Sequence, residues 1–122
     1  MAKKILVAED DALLSQLLVK RLQEEGFDTR AAFDGAAAIS QVQTWHPDLL
    51  LLDILMPVKN GYEVLESIRA DNAVASTVVV IVSNLGATED IERAKSFGVK
   101  EFIKKADTTP GAIAQKVKSI LE

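Results

Sequence analysis

An α/β fold, with a five-stranded parallel sheet and helices on both faces, is the architecture this sequence predicts. Three observations carry it. Short apolar runs alternate with helical patterns five times along the chain. Two of those runs, residues 49–52 and 78–82, are apolar without alternation, which suits strands covered on both faces. Acidic, hydroxyl and basic residues stand just beyond the runs, where open sheets of this class bind ligands.

The first run, Ile5-Leu6-Val7-Ala8, stops abruptly at Glu9-Asp10-Asp11. Leu13, Leu14, Leu17, Leu18 and Leu22 then recur at helical spacing, with Gly26 as the stop. Residues 27–32 read as a weaker strand near an edge, since Asp28 and Arg30 interrupt it. Asp34-Gly35 opens a helix through Ile39, Val42 and Trp45 that ends at His46-Pro47. His46 is expected at the surface, and Trp45 reads as packing or as a partly exposed platform.

Four leucines follow Asp48 and end at Asp53. A run this short also fits a buried helix, but Pro47 before it and Pro57 and Gly61 after it favour a strand and then a loop. Tyr62, Val64, Leu65 and Ile68 mark the third helix. The run at 78–82 delivers Ser83 and Asn84 to its carboxyl end. Thr88 is the expected cap of the fourth helix, whose first turn carries Glu89 and Asp90, and Gly98 closes it. Glu101-Phe102-Ile103-Lys104 is the fifth strand and hands over to Lys105. Thr109-Pro110 starts the last helix, buried through Ile113, Val117, Ile120 and Leu121.

A chain of 122 residues suits one domain with one core. Its net charge of −4 argues against direct nucleic-acid binding. With no cysteine, disulfides, thiolate metal sites and cysteine nucleophiles are excluded. No apolar run approaches a membrane span and no signal peptide precedes the acidic triplet, so the expectation is a cytoplasmic protein without membrane contact.

The predicted fold brings Glu9, Asp10, Asp53, Ser83 and Lys105 to one end of the sheet. Three crowded carboxylates repel one another and take up protons unless they share a cation. Oxygen donors without His or Cys favour a hard cation, Mg²⁺ above all, which keeps waters and recruits phosphoryl groups. Lys105 supplies a mobile positive charge and Ser83 a rotatable hydroxyl. Such a set can carry out phosphoryl transfer onto aspartate. Asp53 taken alone also reads as a strand-end cap, and Asp11 as an acidic helix start.

Four motifs in order, Ile5-Leu6-Val7-Ala8-Glu9-Asp10, Asp53-x-x-Met56-Pro57-x-x-x-Gly61, the strand ending at Ser83, and Gly98 with Phe102-Ile103-x-Lys105, resemble the receiver domain of two-component response regulators. The resemblance spans residues 5–121 and implies a receiver domain over 1–122, flavodoxin-like, with strand order 2-1-3-4-5. It implies that Asp53 accepts a phosphoryl group from a histidine kinase or histidine phosphotransfer protein. Glu9, Asp10, Asp53 and the backbone carbonyl of Leu55 would hold Mg²⁺, and Lys105 would pair with phosphoryl oxygens. Ser83 would turn inward as a switch, followed by Phe102, which is equally readable as core. The outcome is a signalling switch, not an enzyme acting on outside substrates. It would bind a downstream output domain or protein through its fourth and fifth elements, with homodimer formation left open.

Four positions bear on departures from the family pattern. Ala106 follows Lys105 where a cis proline is usual, so the loop is either trans and reshaped or strained. Asn84 stands where a small residue is common and is expected to narrow access. Leu55 and Leu85 are apolar at positions that govern water entry, so slow self-hydrolysis is expected. Rival functions fit less well. A phosphate-independent adaptor would have lost part of the acidic set or Lys105, and a phosphohydrolase would carry an acid where Leu55 stands. In a flavodoxin, Glu9-Asp10-Asp11 would repel the flavin phosphate.

Overall fold

The computed structural model describes residues 2–122. Strand β3 (Leu49–Leu52) is the spine, and none of its four leucines is more than 2% exposed. Leu50 and Leu52 enter one apolar cluster and Leu49 and Leu51 the other, because successive side chains point to opposite faces. Around it lie β1 (Lys4–Ala8), β2 (Asp28–Ala32), β4 (Val78–Ser83) and β5 (Glu101–Lys104), all parallel, in the expected order β2-β1-β3-β4-β5. The interrupted strand β2 is at an edge, as its charges require.

Register sets the site. Ala8 pairs with Leu52, so Glu9 and Asp53 leave the sheet at the same level. Ser83 pairs with Lys104, which puts Lys105 one residue beyond. The amides of Glu9 and Asp53 still donate to the carbonyls of Ala32 and Ala8, both at 3.0 Å, so both backbones are held while their side chains are free to meet.

Helices α1 (Ala12–Glu24) and α5 (Pro110–Leu121) cover one face. Helices α2 (Gly35–Trp45), α3 (Gly61–Ala70) and α4 (Thr88–Ser96) cover the other. Asp11 caps α1 by accepting from the amides of Leu13 and Leu14. Gly26, at φ 92°, follows it in a conformation that side chains resist.

The leucines at helical spacing form α1 as expected, and it turns Ser15, Leu18 and Leu22 toward the sheet, leaving Leu13 and Leu17 67% and 43% exposed. Two expectations need correction. Ile120 and Leu121 are only half-buried, while Ala114 joins Ile113 and Val117 in the core. Thr88 is the first residue inside α4 and caps nothing. The Ncap is Ala87, whose carbonyl accepts from Asp90 and Ile91 and whose methyl offers no hydrogen bond. No peptide bond among the described residues is cis, and Lys105–Asp107 forms a single 3₁₀ turn. Ala106 is therefore accommodated by a reshaped trans loop.

Candidate functional site

Glu9, Asp53 and Lys105 meet in one ion-paired group. The Lys105 Nζ lies 2.7 Å from Glu9 Oε1 and 2.7 Å from Asp53 Oδ2. Both carboxylates are almost wholly buried, and the lysine side chain keeps slight exposure. Their other oxygens are also engaged: Glu9 Oε2 accepts from the Asp11 amide at 3.0 Å, and Asp53 Oδ1 from the Leu55 amide at 3.2 Å. Asp10 is exposed, yet it offers a carboxylate oxygen that lies with one each from Glu9 and Asp53 inside a 4.8 Å span.

Electrostatics follow from this crowding. Burial pushes the Glu9 carboxyl above its ordinary range and Asp53 repels its charge, while the bonds from Lys105 and the Asp11 amide only partly offset this. Burial alone would lower Lys105. Its hydrogen bonds and charge attraction to Asp53 and Glu9 outweigh burial and hold the ammonium above its ordinary value.

The loop after β3 is folded back on the strand. The Gly61 amide donates to the Ile54 carbonyl at 2.8 Å, and a Cβ on Gly61 would lie 2.7 Å from the Asp53 carbonyl oxygen. Only glycine permits that approach. Asn60 and Glu63 form a reciprocal capping box that starts α3 there. Val58 occupies φ 69° within this loop, and the Lys59 amide bonds the Pro57 carbonyl across it at 2.8 Å.

Ser83 is fully buried at the end of β4, and its Oγ accepts from the Leu85 amide at 3.3 Å. Asn84 is exposed and Leu85 half-buried. Phe102 is half-buried against the α2–α3–α4 side of the core. The Leu55 side chain is 52% exposed. Lys104 faces solvent and Lys105 turns inward, as the spacing from Gly98 and Phe102 predicts. His46 is exposed in a left-handed conformation, and Trp45 is half-buried with Arg30 stacked 4.5 Å from its ring centre. Tyr62 had been only a helix marker in the sequence. In the fold it is nearly buried and its hydroxyl donates to Asp90 Oδ1 at 3.1 Å. No local sequence signal announces that pair, because it joins residues 28 apart.

The family model of the response regulator receiver domain matches residues 5–118. The chain belongs to that family. Among curated relatives, this receiver domain is 37% identical over 105 residues to the DNA-binding response regulator MtrA of Mycobacterium tuberculosis, covering 86% of this chain and 45% of that protein. It is 29% identical over 119 residues to the probable transcriptional regulator ycf27 of Cyanophora paradoxa, covering 98% and 48%. The chain thus spans about half the length of the curated relatives it matches. Among solved structures, the receiver domain of the Francisella response regulator 1452 is 32% identical with a TM-score of 0.86, covering 97% of this chain and 95% of that one. A CheY-like receiver domain protein from Methanospirillum hungatei JF-1 shares the fold at 22% identity and a TM-score of 0.90, covering 99% and 94%. The receiver domain is a module of two-component signalling, a switch by fold. Among the described residues, no helix is long and apolar enough to cross a membrane.

Proposed function

We propose that this receiver domain, taken as residues 1–122, accepts a phosphoryl group on Asp53 in a Mg²⁺-dependent reaction and thereby switches a partner-binding surface. The supporting observation is the shared ammonium: Lys105 lies 2.7 Å from both Glu9 and Asp53, beside a third carboxylate. The donor set fits Mg²⁺, being hard oxygens from Glu9, Asp10 and Asp53, with the Leu55 carbonyl as a further candidate ligand. When bound, the ion offsets carboxylate repulsion and the charge of the incoming phosphoryl oxygens.

An Asp53 oxygen attacks phosphorus as the phosphorus–nitrogen bond to a donor histidine breaks, and the electron pair stays on the imidazole. Lys105 follows the new charge and pairs with a phosphoryl oxygen. Ser83 leaves the Leu85 amide and donates its hydroxyl to another, and Phe102 moves toward the space Ser83 clears. The donor is a histidine kinase or histidine phosphotransfer protein. The recipient of the signal is an output domain or protein, as the name of the DNA-binding relatives suggests. Such a system works in the cytoplasm.

Incubation with acetyl phosphate and Mg²⁺ tests this. The mass gain of one phosphoryl group is expected in the native chain, and none with EDTA or in Asp53→Asn. Equal labelling of the variant would remove Asp53 from the role.

A further inference from the structure

Strand β2 is one edge of the sheet, bonded to β1 on its inner side only. The Asp28 amide donates to the Lys3 carbonyl at 2.9 Å, and the Ala32 carbonyl accepts from the Glu9 amide at 3.0 Å. Backbone direction alternates along a strand, so Arg30 also bonds inward. The amides and carbonyls of Thr29 and Ala31 therefore face outward.

Edges of this kind are commonly guarded by proline, lysine, a bulge or a covering segment. β2 contains no proline or lysine, and its five residues pair with β1 in unbroken register. What it carries instead is Asp28 and Arg30, both exposed, opposite in sign and on one face of the sheet. Among the described residues neither makes an ion pair. Arg30 is stacked on Trp45, which fixes its guanidinium on the α2 side of the edge. Like charges would guard this edge against every copy of the chain. Opposite charges two positions apart favour one alignment.

That alignment can be worked out. An antiparallel second β2, bonded through the outward groups of Thr29 and Ala31, has its two-fold axis at Thr29, Arg30 or Ala31. With the axis at Arg30, the two guanidinium groups oppose each other. With it at Ala31, Arg30 faces the uncharged Ala32. With it at Thr29, Asp28 of each copy stands opposite Arg30 of the other, at positions that exchange no backbone bonds and whose side chains lie closest. The two Thr29 residues then exchange amide-to-carbonyl bonds. Ala31 meets Phe27, whose amide already donates to the Leu22 carbonyl at 3.1 Å, so the ribbon ends there.

We propose that the β2 edge is a self-association surface. A second copy of this chain adds antiparallel to β2 about an axis at Thr29, with Asp28 and Arg30 paired across the seam in both directions. The ribbon is short, so the dimer is weak and forms as concentration rises. None of this depends on the phosphoacceptor reading.

Sedimentation equilibrium of the full chain, from micromolar to millimolar concentration, tests the proposal. The native chain should dimerise across that range. Asp28→Arg and Arg30→Asp each turn both cross-seam pairs into like charges and should weaken the dimer about tenfold. The two reversals move the net charge of −4 in opposite directions, so a shared loss reports the pairing and not overall repulsion. The double exchange Asp28→Arg with Arg30→Asp should restore the dimer, and a mixture of the two single variants should form a heterodimer. In the native chain, hydrogen exchange at the Thr29 and Ala31 amides should slow as concentration rises, while the Arg30 amide, already bonded to β1, stays unchanged. A chain still monomeric at millimolar concentration, a dimer indifferent to the reversals, a double exchange as weak as the singles, a mixture that stays monomeric, or Thr29 and Ala31 exchange independent of concentration would each overturn the proposal.

Discussion

Glu9 is the residue whose environment is most at odds with its charge. Its carboxyl is held above the ordinary value of 4.5 by burial, so above pH 4.5 the folded chain binds more protons than the unfolded one. Its contribution to stability therefore falls as pH rises from 4.5 through the elevated folded value. The stability of the native chain minus that of Glu9→Gln, measured by urea unfolding without Mg²⁺, should decline across that window. A difference that climbs would contradict the burial argument. Tyr62 behaves similarly at the other end of the scale. Burial and the Asp90 carboxylate raise it above 10.0, so its contribution is complete below pH 10.0 and is lost as pH rises through the higher folded value. Val58 is a different case, a β-branched residue at φ 69° with its side chain 75% exposed. Left-handed backbone costs such a residue about 1–2 kcal/mol, and a glycine gives back part of that in chain entropy. Val58→Gly should raise stability by roughly 1 kcal/mol in the same unfolding measurement.

At the scale of elements, α4 begins without a side-chain cap, while Asp11, Asp34, Asn60 and Thr109 cap the four other helices. Ala87→Asp should add about 1 kcal/mol, visible as a higher thermal midpoint, because it meets amides that Ala87 cannot. The sequence signals that worked were the strong local ones. Asp34-Gly35 and Thr109-Pro110 were readable as helix starts because their chemistry lies within a few residues. Thr88 misled because Glu89 and Asp90 look the same one position either side of a boundary. Leu13 and Leu17 helped to mark α1 yet stay exposed, because a leucine repeat shows that a helix is amphipathic but not how wide a stripe its neighbours cover. The Tyr62–Asp90 and Arg69–Phe97 hydrogen bonds were not legible at all, since both join distant residues.

For the whole molecule, the convergence of Glu9, Asp53 and Lys105 was legible because each follows an apolar strand, whereas the sheet order came only with the family resemblance. Which oxygen meets which ammonium was not, since that depends on strand register. If the three carboxylates hold Mg²⁺, the ion stabilises the folded chain by mass action, about 1.4 kcal/mol at tenfold excess over its dissociation constant. Millimolar Mg²⁺ should then raise the thermal midpoint of the native chain and raise it less in Asp10→Asn. Leu55 and Leu85 place no acid or base near Asp53, so the acyl phosphate should last minutes or longer. Leu55→Asp should shorten that life roughly tenfold or more by activating water. Decay of the native phosphorylated form within seconds would refute the first expectation.

The run of four identical leucines in β3 has a consequence for folding. A slide of one position along β1 or β4 would exchange one leucine for another on either face, so hydrocarbon packing alone scarcely opposes it. What opposes it is the pair of aspartates that bracket the run. Asp48 is anchored at one end, its carboxylate taking the Lys4 amide at 2.7 Å, and Asp53 is anchored at the other by Lys105. A slide in either direction would drag one of these acids between the helical layers. The Asp53 carboxylate that pairs with Lys105 thus also locks the alignment of the sheet's middle strand, and removing both bracketing acids should yield a mixture of misaligned chains.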